Sequence, residues 1–161
     1  MHCLLCDVRA QPIPRGVIVG GVVASATTGA LVALGHRAGG AGLPFAAIGA
    51  GLLHVMPGNR DFAVVVTGVV LHVAMMLLWS AIFVWLVDHT HFGAFITALL
   101  IAIGHFAMSW AVASSTGAGT ASVLPLGDRL VLGVVLFTAL VSGMRFAFLS
   151  APSPLMDRNA M

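Results

Sequence analysis

Charged residues are scarce in this sequence, and several residue types are missing. The chain has no lysine, glutamate or tyrosine, and charged residues make up only 7% of its 161 residues. Soluble proteins average roughly 25% charged residues. The shortage argues against an ordinary soluble domain. The seven basic residues, all arginine, are scattered and form no basic stripe, so nucleic acid is not an expected partner.

The sequence also lacks the motifs on which intramembrane enzymes and transporters depend. It contains no GxSxG, HExxH or paired-carboxylate pattern. No aspartate falls in the middle of an apolar segment, and no inverted repeat is evident. Ser109 lies one helical turn from His105, but that spacing is common in helices. We therefore expect a non-enzymatic protein.

What the chain has in abundance is apolar sequence, with 60% hydrophobic residues and a mean hydropathy of +1.08. Crossing a hydrocarbon core takes about 20 apolar residues. Four segments meet that requirement, at about 16–34, 62–87, 92–113 and 130–149. The first has no basic region directly before it and no cleavage site, so we expect it to remain as a span. The prediction is a single all-α domain over 1–161, a polytopic integral membrane helical bundle in a lipid bilayer.

A fifth apolar segment, 43–56, is short for a span. It lies between a glycine-rich turn and the sequence Pro57, Gly58, Asn59. Arginines stand near both of its ends, which favours an interfacial or re-entrant helix. The alternative is a tilted fifth span, which would move the C-terminus to the other face of the membrane.

The arginines give a weak indication of topology. With four spans, the face that holds the N-terminus, called side A, also holds the loop 88–91 and the C-terminal tail. Side A then carries Arg9, Arg15, Arg145 and Arg158, and side B carries Arg37, Arg60 and Arg129. The positive-inside rule favours side A as the cytoplasmic face. We expect a bacterial inner membrane protein with both termini in the cytoplasm.

The first span carries a stripe of small residues at four-residue intervals, Gly21, Ser25, Gly29 and Ala33. Four-residue spacing keeps all of them on one helix face. Small residues allow two helices in lipid to approach closely. The stripe therefore predicts helix packing, either inside the bundle or between copies in a homo-oligomer.

Two charged residues fall at the side A ends of their spans. Asp88 ends the second span, and Arg145 lies about one turn inside the end of the fourth. We predict an ion pair between them that ties spans two and four together. The alternative is that Arg145 extends its side chain to the headgroups.

Two histidines, His72 and His105, lie well inside spans two and three. Counted from Phe62 and Ala113, their depths from side B are about 15 and 12 Å, so they share one level. Polar residues at this depth should face the bundle. Two level imidazoles suit the axial positions of a b-type haem, and a single one, with Gly68 four residues before His72, suits a chlorophyll-type pigment. The alternative is a hydrogen bond to Ser or Thr on a neighbouring helix.

The sequence His-x-Ala-Met occurs twice, at His72 to Met75 and at His105 to Met108. Imidazole together with thioether sulfur suits Cu(I). Because the two spans run in opposite directions, the four side chains are expected to form a ladder in depth rather than one compact site. Methionine is also a common filler of gaps in cores.

A zinc site at side A is a further hypothesis. Cys3 and Cys6 have the CxxC spacing of a zinc hairpin, and His89 and His91 of the loop on the same face would complete a Cys2His2 set. The alternatives are a frayed terminus with two reduced thiols or a reversible disulfide.

Part of the chain resembles a known group of proteins. The glycine-rich first span, the segment with Gly49 and Gly51 that leads to His54, and the run GVVLHVAMMLLW at 68–79 are similar to small bacterial inner-membrane proteins of the YagU-like kind. The resemblance covers about the first two thirds of the chain. It implies a four-helix fold and no established reaction.

A chain with so little loop meets partners through its helix surfaces. The sequence therefore favours a non-enzymatic accessory or assembly subunit of a larger membrane complex. One alternative is a haem- or bacteriochlorophyll-binding subunit of a respiratory or photosynthetic complex that uses His72 and His105. Another is a membrane protein that handles copper or zinc.

Overall fold

The computed structural model describes residues 12–56 and 58–149, with side chains from residue 15 onward. It is all-α over these ranges. The elements are α1 (Pro12–Ala38), α2 (Leu43–Leu53), α3 (Phe62–His89), α4 (Ala94–Thr116), a 3-10 turn (Thr120–Ser122) and α5 (Leu126–Leu149).

Four of these helices, α1, α3, α4 and α5, are long and apolar enough to cross a membrane. They correspond to the four predicted spans, with their ends shifted by up to four residues. The all-α multi-pass bundle predicted from composition is confirmed. The short segment forms α2, which has 11 residues and measures about 16 Å. It ends at His54, whose φ of 53° is left-handed, so the helix stops before Met56.

Cross-helix pairs show that the four long helices run antiparallel in succession. Thr27 of α1 meets His72 of α3, and Trp79 of α3 meets His105 of α4. The guanidinium of Arg15, near the start of α1, lies 5.4 Å from the ring centre of Phe148, near the end of α5. The described chain therefore starts and ends at side A, as four crossings require.

Glycines set the closest helix approaches. A Cβ on Gly143 of α5 would lie 2.9 Å from Cα of Val19, and one on Gly20 of α1 would lie 2.9 Å from a methyl carbon of Leu77. Both distances are below normal contact, so α1 packs tightly against α5 and against α3. The core between these helices includes Val19, Val23, Met76, Phe83, Leu136 and Leu140.

The short helix α2 lies against the side B half of α3. A Cβ on Gly68 of α3 would collide with the carbonyl of Phe45, and one on Gly49 of α2 would collide with the carbonyl of Val64. The two backbones are thus in direct contact. The amide of Gly119, in the turn between α4 and α5, donates to the carbonyl of Ala47 at 2.8 Å. This bond fixes the turn to α2, and together they cap the bundle at side B.

The small-residue stripe of α1 does not pack inside the bundle, so that alternative is wrong. Gly21, Ser25, Gly29 and Ala33 are all exposed. A Cβ on Gly21 or on Gly29 would meet no atom within 4 Å in the described part of the chain. The face that packs is a bulkier one next to it, with Val19, Val23, Thr27 and Leu31 buried.

The predicted pair between Asp88 and Arg145 is also wrong. Asp88 lies 3.6 Å from a guanidinium nitrogen of Arg15, so its bridge joins α3 to α1. The reason is that α1 begins at Pro12, which brings Arg15 into its first turn at side A, beside the end of α3. Arg145 is exposed on α5, in a position that suits extension toward the headgroups. A second bridge, from Arg37 to Asp128 at 3.4 Å, joins α1 to α5 at side B.

Candidate functional site

A half-open cavity of about 380 Å³ is lined by all five helices and the 3-10 turn, with the largest shares from α3 and α4. Among neighbouring long helices these two touch least, so space remains between them. Its walls are mainly apolar, with Leu31, Leu71 and Leu136 among them. The polar and sulfur-bearing residues that line it are Thr27, His72, Met75, Met76, His105, Met108, Ser109, Thr116 and Thr120. An apolar cavity with a few convergent polar groups is the usual form of a small-ligand site.

The imidazole of His72 is fixed on one side of this cavity. The residue is 6% exposed, and Nε2 lies 3.2 Å from Oγ1 of Thr27. The hydroxyl of Thr27 donates to the carbonyl of Val23 at 2.7 Å, so we assign Nε2–H of His72 as the donor to Oγ1. Nδ1 then carries a free lone pair. The ring of Phe45 meets the imidazole edge-on, with 5.8 Å between ring centres.

The second imidazole, His105, stands on the α4 side of the same cavity. Its Nδ1 is buried and has no hydrogen-bond partner among the described residues. The indole of Trp79 packs edge-on against it, with ring centres 6.2 Å apart, and the indole nitrogen is unpartnered in the same sense. Leaving a buried polar atom unpaired costs about 1–3 kcal/mol. A ligand that binds Nδ1 would remove this cost.

Three methionines border the two histidines. Met75 and Met108 belong to the two His-x-Ala-Met sequences, and Met76 is a third, almost fully buried neighbour. The ladder predicted from the sequence therefore opens into one shared space. Within 12–56 and 58–149, no group of three or more His, Cys, Asp or Glu could hold a metal ion. A metal bound in this cavity would have to use the thioethers.

Two of the three hydroxyl groups at the side B end of the cavity are hydrogen-bonded to each other. Ser109 of α4 and Thr120 of the 3-10 turn lie 3.1 Å apart, oxygen to oxygen. Thr116 donates to the carbonyl of Val112 in its own helix at 2.7 Å. Sequence reasoning identified the histidines and methionines but missed Thr27, Trp79 and Thr120. In the structure, Thr27 lies 11 residues before the end of α1 and His72 lies 10 residues after the start of α3, but the predicted first span ended at residue 34 and gave no such match.

The predicted zinc site at side A falls partly outside the structure. Cys3 and Cys6 lie outside the described residues, so the Cys2His2 set stays a prediction. Nδ1–H of His89 donates to the carbonyl of Trp85 at 2.9 Å, and the two rings stack with 5.0 Å between centres. His91 is exposed in the loop that follows.

No protein-family model, curated protein or solved structure matches this chain. The resemblance to YagU-like proteins stays a prediction.

Proposed function

We propose that this multi-pass membrane protein is non-enzymatic and handles Cu(I) in the cavity between α3 and α4. The observation that carries the proposal is that both His-x-Ala-Met sequences, from two different helices, line the same cavity. His72, His105, Met75 and Met108 are the proposed ligands, and Met76 is within the same lining.

The chemistry of these side chains favours Cu(I) over harder ions. Thioether sulfur is a soft ligand that selects Cu(I), and imidazole also binds copper. All the proposed ligands are neutral. A monovalent ion costs less to bring into an apolar cavity than a divalent one, because the desolvation cost rises with charge. Zinc, which prefers thiolate, imidazole and carboxylate ligands, is less well served.

The depths of the ligands suggest a path rather than one closed site. Counted along the helix axes from Phe62 of α3 and from Thr116, the observed side B end of α4, Met108 lies at about 12 Å, His72 at about 15 Å, His105 at about 16 Å and Met75 at about 20 Å. The four span about 8 Å of depth. A bound ion could therefore exchange one ligand for the next along the cavity.

The test is an anaerobic titration of the purified protein with Cu(I) against a chromophoric chelator. We expect stoichiometric binding by the native protein, and a loss in affinity of at least about tenfold in Met75→Leu/Met108→Leu. Met144→Leu is the matched control, because Met144 is buried in the core but outside the cavity. The proposal fails if the native protein binds no Cu(I), or if the control loses as much affinity.

The rival hypothesis, haem or a chlorophyll-type pigment on His72 and His105, is tested in the same preparation. A Soret band from a haem-replete host that disappears in His72→Ala and His105→Ala would support haem instead of copper. In the structure, Nε2 of His72 is directed to Thr27, so an axial bond through Nε2 would require the ring to turn. A Cu(I) ion bound through Nδ1 of His72 would leave this hydrogen bond in place.

A second candidate, an accessory or assembly subunit, is favoured by the exposed stripe on α1. The stripe presents a shallow surface in a membrane helix, which is where another helix packs most closely. We expect partner subunits or a second copy to copurify in mild detergent, and Gly21→Leu/Gly29→Leu to release them. Val66→Leu, an exposed change on α3, is the control. A monodisperse, partner-free protein in every gentle detergent would contradict this candidate.

We also propose the location, a bacterial inner membrane with side A in the cytoplasm, from the distribution of arginines. Reporter fusions at the C-terminus that are active only in the cytoplasm would support it. Activity of a periplasmic reporter at that position would overturn it.

A further inference from the structure

A second cavity lies on the outside of the bundle, between α4 and α5. It is a groove of about 440 Å³ with almost wholly apolar walls. Phe95 and Phe137, whose rings pack edge-on with 5.0 Å between centres, line it toward side A, and Phe106 lines it toward side B. Ala102 and Gly133 leave room between the helices. The groove is separate from the histidine cavity and shares no lining residue with it.

The groove has the dimensions of a single hydrocarbon chain. From Phe95 to Phe106 it follows α4 for about 16 Å, which is close to half of a hydrocarbon core of about 30 Å. Its volume over that length gives a mean cross-section of about 27 Å². A helix is about 10 Å across and would not fit. The groove therefore suits one acyl chain better than a transmembrane segment of a partner.

A cation stands at the side B end of this groove. The guanidinium of Arg129 lies 5.8 Å from the ring centre of Phe106, one of the groove residues. Its Nε is buried and has no hydrogen-bond partner in the described part of the chain. The adjacent acid, Asp128, forms its bridge with Arg37. Arg129, three residues after the start of α5, thus offers a positive charge at the side B end of the groove.

We propose that this groove binds one anionic phospholipid, with an acyl chain along α4 and α5 and the phosphate on Arg129. The apolar walls account for the chain, and the arginine accounts for the choice of headgroup. Guanidinium groups form charge-assisted hydrogen bonds with phosphate.

The experiment uses the full chain in bilayer nanodiscs with equal amounts of phosphatidylglycerol and phosphatidylcholine, both with the same acyl chains. After mild extraction, the lipids that remain bound are counted by native mass spectrometry. We expect about a fivefold excess of phosphatidylglycerol on the native protein. Arg129→Gln should bind both lipids equally, while Arg145→Gln, an exposed arginine at the other end of α5, should keep the excess.

A substitution in the groove itself distinguishes binding of the acyl chain from binding of the headgroup. Gly133→Leu fills the groove and should abolish retention of both lipids, because a Cβ there meets no atom within 4 Å of the described chain and the side chain can occupy the space. Circular dichroism and monodisperse elution show that each variant is folded. The proposal is overturned if the native protein shows no preference, if Arg129→Gln keeps it, or if folded Gly133→Leu retains lipid as before. Copurification of a protein at this groove would overturn it equally.

Discussion

The two sides of α3 are packed in contrasting ways. Toward α1 and α2, glycine allows direct contact, as at Gly20 beside Leu77 and at Gly68 against the carbonyl of Phe45. Toward α4, the nearest atom to a Cβ on Gly104 would be the tip of Trp79, at 3.9 Å. The cavity with both histidines lies on this looser side.

The comparison shows what decides where a membrane bundle is tight. Helices in lipid gain little from hydrophobic exclusion and depend on close van der Waals contact. Where one helix supplies glycine and the other supplies a bulky side chain or a carbonyl, the contact is close. Where aromatic rings meet edge-on across the interface, as Trp79 and His105 do, the helices stay apart and leave room for a ligand.

The largest expected effect comes from disrupting the closest contact of α3, which is the one with α2. Gly68→Ala places a methyl group against the carbonyl of Phe45 and forces α2 away from α3. We expect the free energy of unfolding to fall by about 3 kcal/mol, the upper end of the usual overpacking range, in denaturant unfolding in detergent micelles. Gly29→Ala, on the exposed face of α1, should change it by less than about 0.5 kcal/mol. Equal effects would mean that the α2–α3 contact is not close.

The next prediction compares the two kinds of interface directly. Gly143→Ala should lower the free energy of unfolding by about 2 kcal/mol, since its Cβ would crowd Val19. Gly104→Ala, on the loose side, should raise it by up to about 1 kcal/mol, because alanine favours the helix and has room. If Gly104→Ala destabilises as strongly as Gly143→Ala, α3 and α4 pack more tightly than the structure shows.

Replacing His105, whose Nδ1 has no partner in the described chain, tests the cavity without crowding a close helix contact. His105→Leu eliminates the buried Nδ1 and should raise the free energy of unfolding of the metal-free protein by about 1 kcal/mol, while weakening Cu(I) binding. Thermal unfolding with and without Cu(I) measures both effects. A clear loss of stability without metal would show that His105 serves packing rather than binding.

The smallest expected effect concerns the hydrogen bond that fixes His72. Thr27→Val removes Oγ1 and should cost about 0.6 kcal/mol, the average for such bonds in membrane bundles. A double-mutant cycle with His72→Leu should return a coupling of that size. Thr138→Val is the control, because Thr138 is exposed and bonds only within its own helix. A coupling near zero would indicate that the two residues do not interact.

The sequence was sufficient for the elements of the fold and for the level of the two histidines. Runs of apolar residues locate the four long helices, and 43–56 contains a helix of 11 residues, shorter than the about 20 that a crossing takes. Depth follows from counting along a helix, so the shared level of His72 and His105 could be derived. Their opening into a common cavity could not, because it depends on how far α3 and α4 stand apart.

Neighbour relations were the part that the sequence did not determine. In a chain so rich in alanine and glycine, α1 has more than one face that could pack, and the more regular small-residue stripe turned out to be the exposed one. Asp88 could reach a cation on either of two helices at side A, and the structure selects Arg15. Arg129 entered only the comparison of arginines on the two sides, because its proposed role depends on the groove beside it.

The contact between α1 and α5 joins the first described helix to the last. During synthesis, Val19 and Val23 of α1 are made long before their partners Gly143 and Leu140 of α5. Helices α3 and α4 are made in between. The amide of Gly119 likewise reaches Ala47 only after α4 has been made. The close contact between α1 and α5 is thus completed last, after the looser one between α3 and α4. A chain interrupted after α4 would present the buried face of α1 to the bilayer and to any quality-control protease within it.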